Sequence, residues 1–163
     1  EDGPSLWDAL WEAGRAHGLV AAGRAALGTL RLEKGYRAWG TDMTTEHAPA
    51  EAGLGFTVRP GVGFLGAEAL ATRPAAARVL RCLLIEDEQV AMGGEPVLIG
   101  DEAVGYVTSA GYGPSVGRSI AYAWVPTGLE AGAPVDLAYF ERILPAVVVD
   151  EPLFDPDGTR PRA

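Results

Sequence analysis

Apolar residues recur at helical spacing in the first third of the chain and give way, after residue 77, to short apolar runs divided by glycine and proline. The first pattern predicts a helix from Leu6 to about Ala16, capped by Ser5, with Leu6, Leu10 and Ala13 on one face and Trp7 and Trp11 on its flank. Gly18 ends it, and the apolar run Leu19 to Ala22 predicts a short strand. A second helix is expected over Arg24 to Glu33, with Leu27, Leu30 and Leu32 forming a short apolar face and Gly35 stopping it. From Gly40 to Pro60 the pattern predicts mostly loop, with a helical turn around Ala50 and a strand at Gly55 to Val58. Phe64 to Leu70 predicts a turn and short helix, and Arg73 to Ala77, with Pro74, a linker.

Beyond the linker, six runs have the length and branched-residue content of strands: Arg78 to Ile85, Pro96 to Ile99, Ala103 to Ala110, Ser119 to Val125, Val135 to Tyr139 and Ile143 to Val149. Strands at such spacing, with turn residues between them, predict a small antiparallel barrel or a Greek-key sandwich. The chain is therefore α+β, with residues 1–72 as a first unit, 78–154 as a β unit and 155–163 as a flexible tail.

Composition narrows the function classes. At 163 residues and 48% hydrophobic, the chain can bury a core. Its 13 basic against 22 acidic residues give a net charge of −9, which repels phosphate backbones and argues against nucleic acid as a partner. No apolar run approaches membrane-spanning length, so no membrane partner is expected. A single cysteine, Cys82, excludes an internal disulfide; within a strand it is expected to be a buried, inert thiol. A reducing, cytoplasmic setting is the default. His17 and His47 have no second histidine or cysteine at ligand spacing, so no metal site is expected.

The most unusual charge is Glu33. A carboxylate in the last turn faces the negative end of the helix dipole, so it needs Arg31, Arg37 or a bound donor to compensate it. It is either a ligand contact or a solvated side chain paired with Lys34 or Arg37. Tyr36 and Trp39 follow closely. Tyr36 suits either packing or contact with a flat ring, whereas Trp39 is expected to pack. The stretch Gly111 to Ser119 resembles a phosphate loop only superficially, since it lacks the lysine and leads into a strand; a hairpin connection is expected. Arg118 within it is a candidate for a ligand carboxylate, beside the ordinary reading of a solvated loop arginine. Asp42 and Glu46 resemble a carboxylate pair but equally suit turn and cap groups, and His47 is conceivable as an acid-base group beside the ordinary expectation of an exposed histidine.

LRLEKGYRAWGTDM at Leu30 to Met43, EAGLGF at Glu51 to Phe56 and FLGAEAL at Phe64 to Leu70 resemble the folate-binding aminomethyltransferase family, which includes the glycine-cleavage T-protein. The resemblance continues through GGEPV, GYVTSAGYG, SIAYAWVP and EPLFDP, ending at Pro156, and its wording is closest to the carboxy-terminal module of sarcosine and dimethylglycine dehydrogenases. It implies part of a folate-binding domain followed by a terminal Greek-key or jelly-roll-like barrel. It also implies tetrahydrofolate as cofactor, with Glu33 against the pterin ring and capture of a one-carbon unit from an N-methylamine as the reaction. The family's acidic residue near the folate nitrogen lies before the segment matching Glu1, so no catalytic residue is expected here. A second polypeptide or further domain, such as a flavin oxidoreductase carrying FAD, is expected to complete the fold. The competing expectation is a folate-binding or assembly module that keeps the fold without the chemistry.

Overall fold

The computed structural model describes residues 2–160. Three helices, α1 (Gly3–Arg15), α2 (Arg24–Glu33) and α3 (Ala67–Ala71), and one 3-10 turn (Gly55–Thr57) precede six strands. The strands are β1 (Arg78–Ile85), β2 (Pro96–Ile99), β3 (Glu102–Gly113), β4 (Arg118–Pro126), β5 (Pro134–Tyr139) and β6 (Arg142–Val149). They close into a barrel in the order β1-β4-β3-β2-β5-β6, each neighbour antiparallel. Consecutive hairpins join β2, β3 and β4, and β1 lies beside β4, which is a Greek-key path. Of the barrel and the sandwich, the chain forms the barrel. The strand it lengthens most is β3: Gly111, Tyr112 and Gly113 fall in the stretch expected as a hairpin connection, yet they pair with Ile120, Ser119 and Arg118.

The apolar run of β4 is continuous because both its faces are covered. Ala121, Ala123 and Val125 point into the barrel with Leu83, Ile85, Val97, Val107, Leu137, Leu144 and Val148. Ile120, Tyr122 and Trp124 alternate to the outside, where Leu32 of α2, Ala52 of the following loop, Leu80 and Cys82 bury them. The helical segment thus serves as an outer wall of the barrel. Cys82 is 1% exposed, and burial, followed by the nearby Glu151 charge, pushes its thiol up to about 12, so it is inert as expected.

Several local expectations change. The N-cap of α1 is Asp2 rather than Ser5, and Pro4 occupies the first turn, where its missing N–H is harmless. Leu19 to Ala22 is not a strand: Leu19 folds back over the helix end, its amide donating to Gly14 O at 3.1 Å, and no strand lies beside it. Gly55 to Val58 is likewise not a strand but the 3-10 turn, closed by the Thr57 amide on Leu54 O at 3.0 Å. Trp39 does not pack; it is 67% exposed. The apolar face of α2 is split, with Leu32 buried while Leu27 and Leu30 remain open.

Asp42, expected as a turn group, is the pin between loop and barrel. Its Oδ2 accepts from the Ala38 amide at 2.8 Å and pairs with Arg31, while Oδ1 accepts from Thr108 Oγ1 at 2.7 Å and from Ser109. Neighbouring residues of a regular strand face opposite ways, but the register shifts between Val107 and Ser109, and this bulge brings both hydroxyls to one oxygen. Trp124 Nε1 donates to the Asp42 carbonyl at 2.9 Å, and His47 stacks on the Trp124 ring at 4.1 Å, so it is half-buried rather than exposed. Truncation of Asp42 removes the counter-charge of Arg31 and the acceptor of Ser109, leaving Thr108 only the Tyr122 carbonyl and Arg31 only the Tyr36 carbonyl. Asp42→Ala should lower unfolding free energy in urea by about 3–5 kcal/mol. A loss below about 1 kcal/mol would mean water replaces the pair without penalty.

Candidate functional site

The carboxy end of α2 is built by its glycine. Gly35 sits at φ 75°, the Tyr36 amide donates to Arg31 O at 2.9 Å and the Gly35 amide to Leu32 O at 3.2 Å, which is the paired-bond ending of a Schellman cap. The chain therefore reverses at once and places Tyr36 beside the helix's last turn.

Glu33 is neither solvated nor paired with a cation. It is 1% exposed, and its Oε1 accepts from the backbone amides of Ser115 at 2.6 Å and Val116 at 3.1 Å, in the turn between β3 and β4. These two N–H groups offset the unfavourable helix end. The neighbouring cations are engaged elsewhere: Arg31 with Asp42, Lys34 with Asp155 at 2.9 Å, and Arg37 with Glu151. Among the described residues Glu33 Oε2 has no hydrogen-bond partner, although it is buried. A buried acceptor without a partner in the chain calls for a donor from outside it, a water or a ligand group.

Glu33 lines a cleft of about 310 Å³ with Leu27, Leu30, Arg31, Lys34, Tyr36 and Phe154. Apolar walls with one anionic acceptor suit a flat ring that carries N–H donors on one edge. Tyr36, 62% exposed, also borders a second cleft of about 480 Å³, formed with Arg37, Met43, Leu54, Phe56, Glu151 and Pro152. It stands at the partition between the two. Of the three residues expected at the site, Glu33 and Tyr36 come together; Arg118 does not join them. It lines a separate cavity with Glu86, Asp87, Glu88, Tyr112 and Ser119, and its Nη2 donates to Ile85 O at 3.4 Å.

Phe154 went unnoticed in the sequence. The Phe154 amide donates to Glu33 O at 3.0 Å, which brings the segment after the barrel back onto α2. Glu151 and Arg37 sit below it: Arg37 Nε donates to Ala52 O at 2.8 Å, its guanidinium lies 5.2 Å from the centre of the Tyr122 ring, and the Tyr122 hydroxyl donates to Glu151. Burial opposes the Arg37 charge, yet the hydrogen bond and attraction of Glu151 outweigh it and its pKa is raised. Burial first, then Cys82 and Glu151, push the Tyr122 phenol far up, so it is a hydrogen-bond donor rather than an acid. The only signal for this cluster was the charge of Arg37 and Glu151, 114 positions apart.

A helix-and-loop layer laid on the outside of a closed Greek-key barrel, with a buried carboxylate at their junction, defines an α+β barrel module. Comparison with known proteins specifies the module. The family model of the glycine cleavage T-protein C-terminal barrel domain matches residues 78–155, and that of the GCVT N-terminal domain matches residues 1–61. An aminomethyltransferase of Symbiobacterium thermophilum is 39% identical over 94% of this chain and 42% of its own length. The mitochondrial dimethylglycine dehydrogenase of Homo sapiens is 37% identical over 99% of this chain and 19% of its own. The crystal structure of glycine cleavage system aminomethyltransferase T from Bartonella henselae superimposes with a TM-score of 0.83 at 25% identity, covering 94% of this chain and 44% of that one. The chain belongs to the glycine-cleavage T-protein-like aminomethyltransferase family. It spans less than half the length of these relatives.

The clasp that brings Phe154 to the cleft has a titration signature. Asp155 accepts from Lys34 Nζ and, through Oδ1, from the Thr159 amide and hydroxyl at 2.8 Å each. So the stretch expected to be loose is held at its start; residues 161–163 lie outside the described part. The Lys34 hydrogen bond, helped by Thr159 against a partial desolvation, holds the Asp155 carboxyl below the usual carboxylate range. A depressed folded value means the stabilisation is present above the unfolded value of about 3.9 and fades as pH falls from there. The melting-temperature difference between the wild type and Asp155→Asn should therefore be largest near neutrality and shrink from about pH 5 downward. A difference constant with pH would show that the clasp is not ionic.

Proposed function

We propose that this chain supplies the pterin-anchoring wall of a tetrahydrofolate site in an aminomethyltransferase or folate-linked demethylating oxidoreductase. The observation that carries the reading is Glu33: a buried carboxylate with one oxygen fixed by two amides and the other without a partner, at the wall of a cleft bounded by Tyr36 and Phe154. An aminopyrimidinone edge presents adjacent N–H donors, which is the complement of that oxygen. When bound, tetrahydrofolate provides the nitrogen at which a one-carbon unit from an N-methylamine is captured. This chain's own part is to bind and orient. Glu33 fixes the ring edge, Tyr36 and Phe154 offer faces to its plane, and the apolar wall of Leu27 and Leu30 excludes water.

The proton-handling acid of such a reaction is assigned to further polypeptide, as is FAD where the donor is an N-methylamine. The helical segment supports a completing partner. No residue of α1 is buried, and Leu6, Trp7, Leu10 and Trp11, the last three bordering a cleft with Leu19 and Val20, form an apolar strip that nothing in the described residues covers. The relatives' greater length makes additional segments of the same fold the natural cover. The proposal is tested by calorimetric titration of 5-formyltetrahydrofolate into the folded chain. Glu33→Gln should weaken binding by about 1.5–3 kcal/mol, the worth of a hydrogen bond to a charged group. Tyr36→Ala should weaken it less, because its ring is already half open to solvent. Equal affinity in Glu33→Gln would instead favour an assembly module that keeps the fold without holding folate, and no binding to the folded wild type would mean that the completing segments are required or that the module holds no folate.

A further inference from the structure

Gly111 and Gly113 are two apart on β3 and so share one face of the strand, the face on which α2 lies. A Cβ at Gly111 would stand 3.0 Å from Leu32 Cδ1 and 3.3 Å from Thr29 Cγ2. One at Gly113 would stand 3.0 Å from Glu33 Oε1, 3.1 Å from Glu33 Cγ and 2.7 Å from Ile120 Cδ1. Neither glycine has a positive φ, so neither is required by backbone conformation. Their shared feature is close approach by the helix.

Two residues beyond Gly113, the turn points the Ser115 and Val116 amides at the same Oε1. We infer that the β3–β4 hairpin is a positioning device for Glu33, with Gly113 its key residue. The missing side chain lets the carboxylate descend onto the turn, and the two amides hold Oε1 so that Oε2 is the atom presented to a ligand. Backbone amides cannot rotate away as a lysine or serine would, so the orientation of the free oxygen is set by the barrel before any ligand arrives. The barrel thereby acts on ring recognition without itself touching the ring. This inference rests on the reading of Glu33 as the pterin anchor.

The test is a double-mutant cycle on the full chain, read by calorimetry with 5-formyltetrahydrofolate and by amide resonances in 15N spectra. Gly113→Ala should weaken binding about tenfold, on the scale of one displaced charged hydrogen bond, and should have no further effect once Glu33 is glutamine. Ile120→Val, which removes the Cδ1 atom in the way, should restore the melting temperature of Gly113→Ala but not its affinity. The Ser115 and Val116 amide resonances should move in both Gly113→Ala and Glu33→Gln. Equal losses from Gly113→Ala in both Glu33 backgrounds, or affinity rescued by Ile120→Val, would overturn the inference and make Gly113 a packing residue. An affinity loss in Glu33→Gln with none in Gly113→Ala would overturn it while leaving the anchor intact. With no folate binding by this chain alone, the two amide resonances decide whether the hairpin holds Glu33: unmoved, it does not.

Discussion

The last turn of α2 and the loop after it are the junction on which the rest of the structure depends. Four charged residues within seven positions, Arg31, Glu33, Lys34 and Arg37, each leave the helix segment for a different partner. Asp42 closes the loop on the barrel, the β3–β4 turn takes Glu33, and Asp155 and Glu151 bring the chain's final segment back. Such pairs contribute little when solvated but a great deal to geometry when buried, because breaking one leaves an uncompensated charge. They fix where α2 lies more sharply than Leu32 alone could, and they do so around the candidate site.

The barrel is the stiff partner in this arrangement. Its interior is filled by small and branched side chains, and its outer face on β4 carries Ile120, Tyr122 and Trp124 as the floor for the helical layer. Two irregularities in β3 connect that floor to the candidate site. The bulge at Val107 to Ser109 turns two hydroxyls to Asp42, and the bare positions at Gly111 and Gly113 admit the helix. Departures from regular strand geometry thus sit where the outer layer meets the barrel.

On the proposed reading, this layout would let the module bind without carrying the whole of a reaction. The cleft beside Glu33 is bounded by Leu27 and Leu30, the helix end, Tyr36 and Phe154. A carboxylate held by fixed amides is suited to recognition, since its orientation is set in advance. The proton transfers of one-carbon chemistry need groups whose charge changes near the reacting atom. The ionisable groups nearest the cleft are instead tied in structural pairs, and Tyr122 and Cys82 are raised far out of the working range.

What the sequence alone determined was local or repetitive. Alternation and run length placed β1 and β2 to the residue and the other strands to within a few positions, the helical period and Gly35 placed α2, and motif order identified the family. It also marked Glu33 as misplaced, because the helix dipole is a property of the segment itself. Only the tertiary structure decided what answers that charge. The donors are backbone amides 82 and 83 positions away, which have no side-chain signature, and the obvious candidates Lys34 and Arg37 turn out to serve Asp155 and Glu151. The same reason covers Leu19 to Ala22, Gly55 to Val58 and Trp39: a strand needs a neighbour to pair with, and burial needs a surface to meet, and neither is written in the residues that lack them.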